Sequence, residues 1–488
     1  MSVGLRLRVV KREQIKNFLD RLGELEEWKV LVLIFGISLV IRLFYVILFP
    51  TVVIGDATAY DSLAIGLIEG KGYGGGNSGG TSSYWPPGQP FFLAAIYSLF
   101  GYNPQIACIF QAFVSSLTCI VIYFLGKTVL NKKIGIISGF IAAVYPTFII
   151  FSSLLLTETI FIFLLSLSIL YLLKVYEQAS LKNLLMAGVP LGLAMLVRPI
   201  ILGFIPFILF WLLLSSKELS SKDSKEMKKN LMNFIAIFVI IMVVVSPWAV
   251  RNYNVHHKFV PVSTNGGHCF WLGNNPDATG MACSALENKT KAYKSLNMTA
   301  HNEVERDRLF YKKGFEFIKE KPISVLCLDL KKFAYFLGIP NKFFANYFEN
   351  RFINPVPKWL FIILAPLTVL PYIILLPLAI FGIVFYQKWD RKAYLLILLI
   401  FYYTLMHSLI LAEVRYHLQI MPFLIIFASY GACSINRVRS EIRLGNSKTR
   451  RKIIIFLLLT VVLIASWYYS TYFWLSKIMT LIGNFIGD

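Results

Sequence analysis

Two acids and a set of arginines are the residues in this chain whose types and positions could do chemistry. Asp56 opens the stretch Ile54–Gly101, which follows directly on the first long apolar segment. A carboxylate held there can take a proton from a hydroxyl or an amine. It can equally cap the short helix predicted by the apolar spacing of Tyr60, Leu63, Ala64, Leu67 and Ile68. The roles are compatible, because a capping carboxylate is rigidly held. Asp61 falls about 140° further round that helix, so it is expected to be solvated or to contact an acceptor. Glu158 is the second acid. It lies in FSSLLLTETIFIFLL at the predicted outer end of a span, where an ionisable group is costly and faces a cavity. A simple helix start at Thr157-Glu158 is the competing reading.

The arginines stand where a bias of positive charge towards the cytoplasm does not call for them. Arg42 is inside the first span, Arg198 is at an outer hairpin, Arg251 begins a long outer loop and Arg415 is in the outer turn AEVRYH. A single such residue reads as a snorkelling side chain, or in the case of Arg415 as a partner for Glu413. Several on one side suggest an anion there, most naturally a phosphate, which guanidinium binds bidentately. His256, His257, His268 and His417 share that side, but none has metal-ligand spacing. Metal ligation is left unassigned, and a divalent cation is the only cofactor in view.

The elements that must position these residues are membrane helices. The chain has 488 residues, 57% hydrophobic and 15% charged, with a net charge of +22 and a mean hydropathy of +0.65. Soluble domains carry roughly 25% charged residues. The composition therefore gives an all-α polytopic membrane protein, and the basic excess is explained by basic loops, not by nucleic acid. Apolar runs predict about eleven spans, near 29–50, 104–126, 134–152, 155–174, 183–198, 200–216, 231–250, 357–385, 393–411, 415–433 and 453–474. Basic short loops, such as Arg437–Lys452 with seven basic residues and one acid, put the N-terminus inside and the C-terminus outside.

The organisation expected is a cytoplasmic segment 1–28 and a transmembrane catalytic module 29–250 with a first extracytoplasmic loop at 51–103. A large extracytoplasmic loop 251–356, C-terminal transmembrane helices 357–475 and a short tail 476–488 follow. In the first loop the 89–100 piece reads as interfacial, and Gly72–Gly80 reads as a mobile cover. The large loop opens on a strand-like FVPV and continues into helical spacing over His301–Glu320. Six cysteines give no zinc or redox pattern. Cys269 and Cys283 could pair if their loop is outside the cytoplasm, whereas Cys108, Cys119 and Cys433 read as small core residues.

Taken in order, several motifs resemble a known family. They are Asp56 with Tyr60, GKGY (Gly70–Tyr73), PPGQPFFLAAIYSLFG (Pro86–Gly101), Thr157-Glu158, Val197-Arg198-Pro199, PWAVRNY (Pro247–Tyr253), STNGGHCFWLGNNPDATG (Ser263–Gly280) and VRYHLQIMPF (Val414–Phe423). Together they are similar to the GT-C membrane glycosyltransferases, and more narrowly to the protein O-mannosyltransferase and lipid A aminoarabinose transferase group, glycosyltransferase family 39-like. The resemblance implies a GT-C bundle with interfacial helices in two outer loops. It also implies inverting transfer of a sugar from a polyprenyl-phosphate donor to a glycolipid, glycan or protein acceptor outside the cytoplasm. Asp56 matches that group's essential acid. Ala57 stands where a second acid is frequent, and Ala59 where the aminoarabinose enzymes carry Arg.

The expected roles are then Asp56 as general base and Glu158 as a second acid orienting the sugar or a cation. Arg251 and Arg415 are assigned to the phosphate, Arg198 and Arg42 are in reserve, and Tyr60 is assigned to substrate contact. The protein is expected in the plasma or inner membrane. The main alternative is a transporter or flippase of lipid-linked sugars, which needs no acid at a membrane edge. A glycan polymerase or ligase using a pyrophosphate-linked donor is the other.

Overall fold

The computed structural model describes residues 24–50, 52–74, 81–213, 223–280, 302–340, 343–344, 347, 352–354 and 356–486. Cys283 and most of the Gly72–Gly80 segment lie outside these residues.

Polar caps start the helices at the ends of the apolar runs. Helix α1 (Glu27–Leu48) is followed by the short α2 (Asp56–Ile68) and α3 (Gly88–Phe100). Asn103 opens α4 (Pro104–Val129), accepting from the amides of Gln105 and Ile106, with Pro104 at the first helical position. Asn131 caps α5 (Lys132–Val144). Pro146 then restarts the chain as α6 (Pro146–Ser152), bent 51° from α5. The predicted third span is therefore a broken helix, as a proline that cannot continue the preceding hydrogen-bond ladder requires.

Helix α7 (Glu158–Glu177) returns and packs on α4 and on α8 (Leu181–Val197). A 3₁₀ turn at Pro199–Phe204 leads into α9 (Ile205–Leu213), and α10 (Asp223–His256) rises again to the second outer loop. That loop holds α11 (Gly266–Gly273), α12 (Glu303–Glu320) and α13 (Pro322–Phe336). The C-terminal helices are α14 (Lys358–Val384), α15 (Arg391–Leu409), α16 (Met421–Arg443) preceded by a 3₁₀ turn at Val414–Ile420, and α17 (Ser447–Ile486). Gly382 and Gly431 let α14 and α16 touch backbone to backbone, a packing mode suited to apolar surroundings.

Among the described residues, eight helices are long and apolar enough to cross a membrane, or nine if the bent pair α5–α6 is one span. Helix α8 and the Pro199–Leu213 segment are shorter apolar helices at the places of predicted spans five and six, and only with them does the total reach the expected eleven. FVPV (259–262) is not a strand. Cys108 and Cys119 are buried as expected, but Cys433 is exposed. Asp61 is buried, not solvated, and its two oxygens accept from Tyr97 Oη (2.6 Å) and Tyr102 Oη (3.0 Å). It holds α3 and the turn after it against α2.

Arg42 is also internal. Its fully buried guanidinium donates to Ser38 Oγ (2.5 Å), Ser115 Oγ (2.8 Å), Ala143 O (2.8 Å) and Ala142 O (3.2 Å). The last two are carbonyls of the final turn of α5, beside the Pro146 break, so the cation closes that break from α1. Replacing Arg42 by Ala removes the donor to these buried oxygens and leaves Ala143 O without a partner among the described residues. We expect a loss of about 3 kcal/mol, read as a lower unfolding midpoint in detergent, with ligand affinity of the folded fraction unchanged.

Candidate active site

Five charged side chains meet at one end of the bundle. Asp56 stands at the start of α2, preceded by Gly55 at φ +63°, a left-handed conformation that suits glycine. Its Oδ2 accepts from Arg415 Nη2 at 2.6 Å, across 359 positions of sequence. Arg415 Nε donates to Glu413 Oε2 at 2.6 Å and lies 3.7 Å from Glu158 Oε1. That same Glu158 oxygen accepts from Arg198 Nη2 at 2.7 Å, while Arg198 Nε donates to Thr157 Oγ1 at 2.7 Å. The face of Tyr416 lies beneath both guanidinium groups, 5.4 Å from Arg198 and 5.7 Å from Arg415. Glu158 is fully buried, and the Arg198 and Arg415 guanidinium groups are the opposite charges beside it.

Local sequence explains each placement. Thr157-Glu158 is indeed a helix start, and the carboxylate occupies the first turn of α7, where the helix dipole favours negative charge. Arg198 sits at the corner forced by Pro199, with extended backbone that ends α8. Gly88 brings the Pro-Pro-Gly entry to α3 against that corner, where a Cβ would strike Val197. Arg415 lies in the short 3₁₀ turn between α15 and α16.

These residues border a cavity of about 470 Å³. Asp56, Tyr60, Thr157, Arg198, Arg415 and Tyr416 form one side, Trp85 and Pro86 contribute a rim, and Ser263, Asn265, Gly266, Cys269, Asp307 and Tyr311 come from the second outer loop. Tyr60 is buried edge-on against Trp85 at 5.1 Å. Asp307 and Tyr311 were not singled out from sequence. Their signal was an Asp and a Tyr four residues apart, hence on one face of the helix expected over His301–Glu320.

Arg251 is placed elsewhere. It donates to Ser82 O (2.9 Å), Ser83 Oγ (2.8 Å) and Tyr73 O (3.0 Å) and stacks over Trp248. Glu303 grips the same rim from α12, through the Ser83 amide (2.6 Å) and Ser82 Oγ (2.9 Å). Arg251 thus secures the rim and does not line the cavity, and Arg42 is far inside the bundle. Arg198 joins Arg415 in the cavity.

The histidines do not converge. His256 bonds Ser83 and Glu303, His268 meets Tyr84 and His417 meets a backbone carbonyl. Among the described residues no three His, Cys, Asp or Glu side chains group as a metal set. The carboxylates that do meet each accept through one oxygen from Arg415 or Arg198.

Residues 85–250 match the model of the family described as dolichyl-phosphate-mannose-protein mannosyltransferase. Over those residues the chain is similar to that family. The matched segment carries Trp85, Gly88, Glu158 and Arg198, and it excludes Asp56 and Arg415. No curated protein matches by sequence.

Among solved structures, the chain is similar to the oligosaccharyltransferase AglB of Archaeoglobus fulgidus in complex with an inhibitory peptide and a dolichol-phosphate. Identity is 12% and the TM-score 0.47, over 91% of this chain and 55% of that one. It thus spans about half the length of that protein. It is also similar to ArnT from Cupriavidus metallidurans bound to undecaprenyl phosphate, at 12% identity and a TM-score of 0.41, over 85% and 79% of the two chains.

His268 gives this region a pH response. Burial, and secondarily Arg306, lowers its imidazole to about 4 from an ordinary 6.5. The folded state therefore favours the neutral ring, and between pH 6.5 and 4 the unfolded segment binds more protons. The stability contribution is complete above pH 6.5 and is lost as pH falls towards 4, by up to about 3 kcal/mol. Hydrogen exchange across residues 263–273 should accelerate over that window in the native protein and show a flattened pH dependence in His268→Gln.

Proposed function

We propose that this chain is an integral-membrane inverting glycosyltransferase. It takes a sugar from a polyprenyl-phosphate donor and gives it to an acceptor on the extracytoplasmic side. The observation that carries the reading is the 2.6 Å contact between Asp56 and Arg415 at the mouth of a cavity that Arg198 also lines. It sets a proton acceptor beside two cations, the pairing that displacement of a phosphate from a sugar carbon requires.

In the proposed reaction the donor phosphate competes for Arg415 and loosens its hold on Asp56. The freed carboxylate takes the proton of the acceptor hydroxyl or amine. That oxygen or nitrogen attacks the anomeric carbon from the face opposite the phosphate, the carbon–oxygen bond to phosphate breaks, and its electron pair leaves with the phosphate. Arg415 and Arg198 hold the charge that develops there. Glu158 orients both guanidinium groups, and Arg251 keeps the rim in place.

Apolar Pro199, Ile200 and Leu202 in the cavity wall suit a lipid tail approaching from the bilayer. A transporter of lipid-linked sugars would have no use for a carboxylate that must be released by the phosphate. Asp56→Asn should lower the rate of transfer from a purified polyprenyl-phosphate sugar by roughly 10²–10⁴-fold, with donor affinity within a few-fold of native. Undiminished transfer in this variant removes Asp56 as base. Arg415→Gln should instead weaken donor binding and turnover together.

A further inference from the structure

We propose that Asp307 and Tyr311 on α12 read the hydroxyls of the donor sugar, an inference that rests on the reading above. Both line the cavity on the wall contributed by the second outer loop, whereas Asp56, Arg198 and Arg415 belong to the membrane-helix side. A polyprenyl-phosphate sugar has two polar parts, an anionic phosphate and a ring of hydroxyls. The guanidinium side answers the first, and the α12 side carries the chemistry that answers the second.

The geometry favours ligand contact over a purely structural role. Asp307 Oδ1 accepts from the Gly267 amide at 2.6 Å, which ties the carboxylate to the start of α11 and fixes its direction. Oδ2 and the Tyr311 hydroxyl have no hydrogen-bond partner among the described residues, and neither is a sealed interior atom. Residues four apart on a helix stand about 5–6 Å apart at Cβ, so the pair presents an acceptor and a donor–acceptor to neighbouring hydroxyls of one ring edge. Burial raises the carboxyl of Asp307 above its ordinary value and the phenol of Tyr311 to about 12. Tyr311 is therefore a neutral donor at physiological pH. The Tyr60, Trp85 and Tyr416 rings in the same cavity supply flat faces of the kind sugar C–H surfaces cover.

Proximity to the backbone also explains why the wall is precise. A Cβ at Gly267 would collide with the backbone oxygen of Asp307, and one at Gly266 with the hydroxyl of Tyr311. The two glycines of STNGG let α11 lie directly on the face of α12 that bears both side chains.

The test is binding of two lipids to the purified full chain in nanodiscs: bare polyprenyl phosphate, and the same lipid carrying a sugar that the native protein transfers. Asp307→Asn keeps the contact to Gly267, and Tyr311→Phe keeps the ring. Each should weaken the sugar-bearing lipid about tenfold and leave the bare lipid within about twofold. Arg415→Gln should weaken both lipids. Equal losses for the two lipids, no loss for either, or a rise only in the acceptor KM in Asp307→Asn would overturn the assignment. A native protein that binds both lipids equally would overturn it too, while leaving Asp56 and Arg415 untouched. Failure of the native protein to bind either lipid overturns the glycosyl-transfer reading itself, and this inference with it.

Discussion

Arg415 is the residue on which the site depends. One guanidinium bonds Asp56 from the first outer segment and Glu413 from its own turn, and it stands near Glu158 from α7. Three acids against the two cations Arg415 and Arg198 leave an excess of one negative charge. In a medium of low dielectric, like charges this close are tolerable only with the cations interleaved between them. The arrangement fixes direction as well as charge. A planar donor set holds each carboxylate at a defined angle, which a lysine ammonium would not do. The preceding α15, the proline corner after Arg198 and the start of α7 all converge so that these few atoms can meet.

Much of this was legible in the sequence. Asp56, Glu158, Arg198 and Arg415 stood out because charge at an apolar edge violates the partition that bilayers impose, and the structure brings these four together. The same argument could not separate Arg251 and Arg42 from them. It reports on which side, or how deep, a cation lies, but not which way its side chain turns. Arg251 turns to the rim carbonyls and Arg42 to the last-turn carbonyls of α5. Backbone acceptors leave no trace in composition, so both assignments depend on three-dimensional detail.

The helices were legible for a related reason. An apolar run long enough to cross is visible in one dimension, and nine of the predicted segments begin within three residues of the observed helices or turns. Breaks inside the runs were harder to place. Pro146 bends the third span, whereas Pro190, Pro247, Pro366, Pro371 and Pro377 lie within continuous helices, because neighbouring helices can satisfy the freed carbonyls. Asp61 was misjudged for want of knowing that Tyr97 and Tyr102 fold back onto it. Asp307 and Tyr311 lay in a helix that was expected, on a face whose neighbour was not.

The double grip on the rim has a wider meaning. Ser82 and Glu303 are 221 positions apart, a separation at which closing a free chain is entropically expensive. Here the anchoring of α1 and α10 in the bundle has already met most of that cost. The bilayer thus turns a remote pairing into a neighbourly one, with a high effective concentration of one group about the other, and a few short hydrogen bonds suffice to seat the mouth of the cavity.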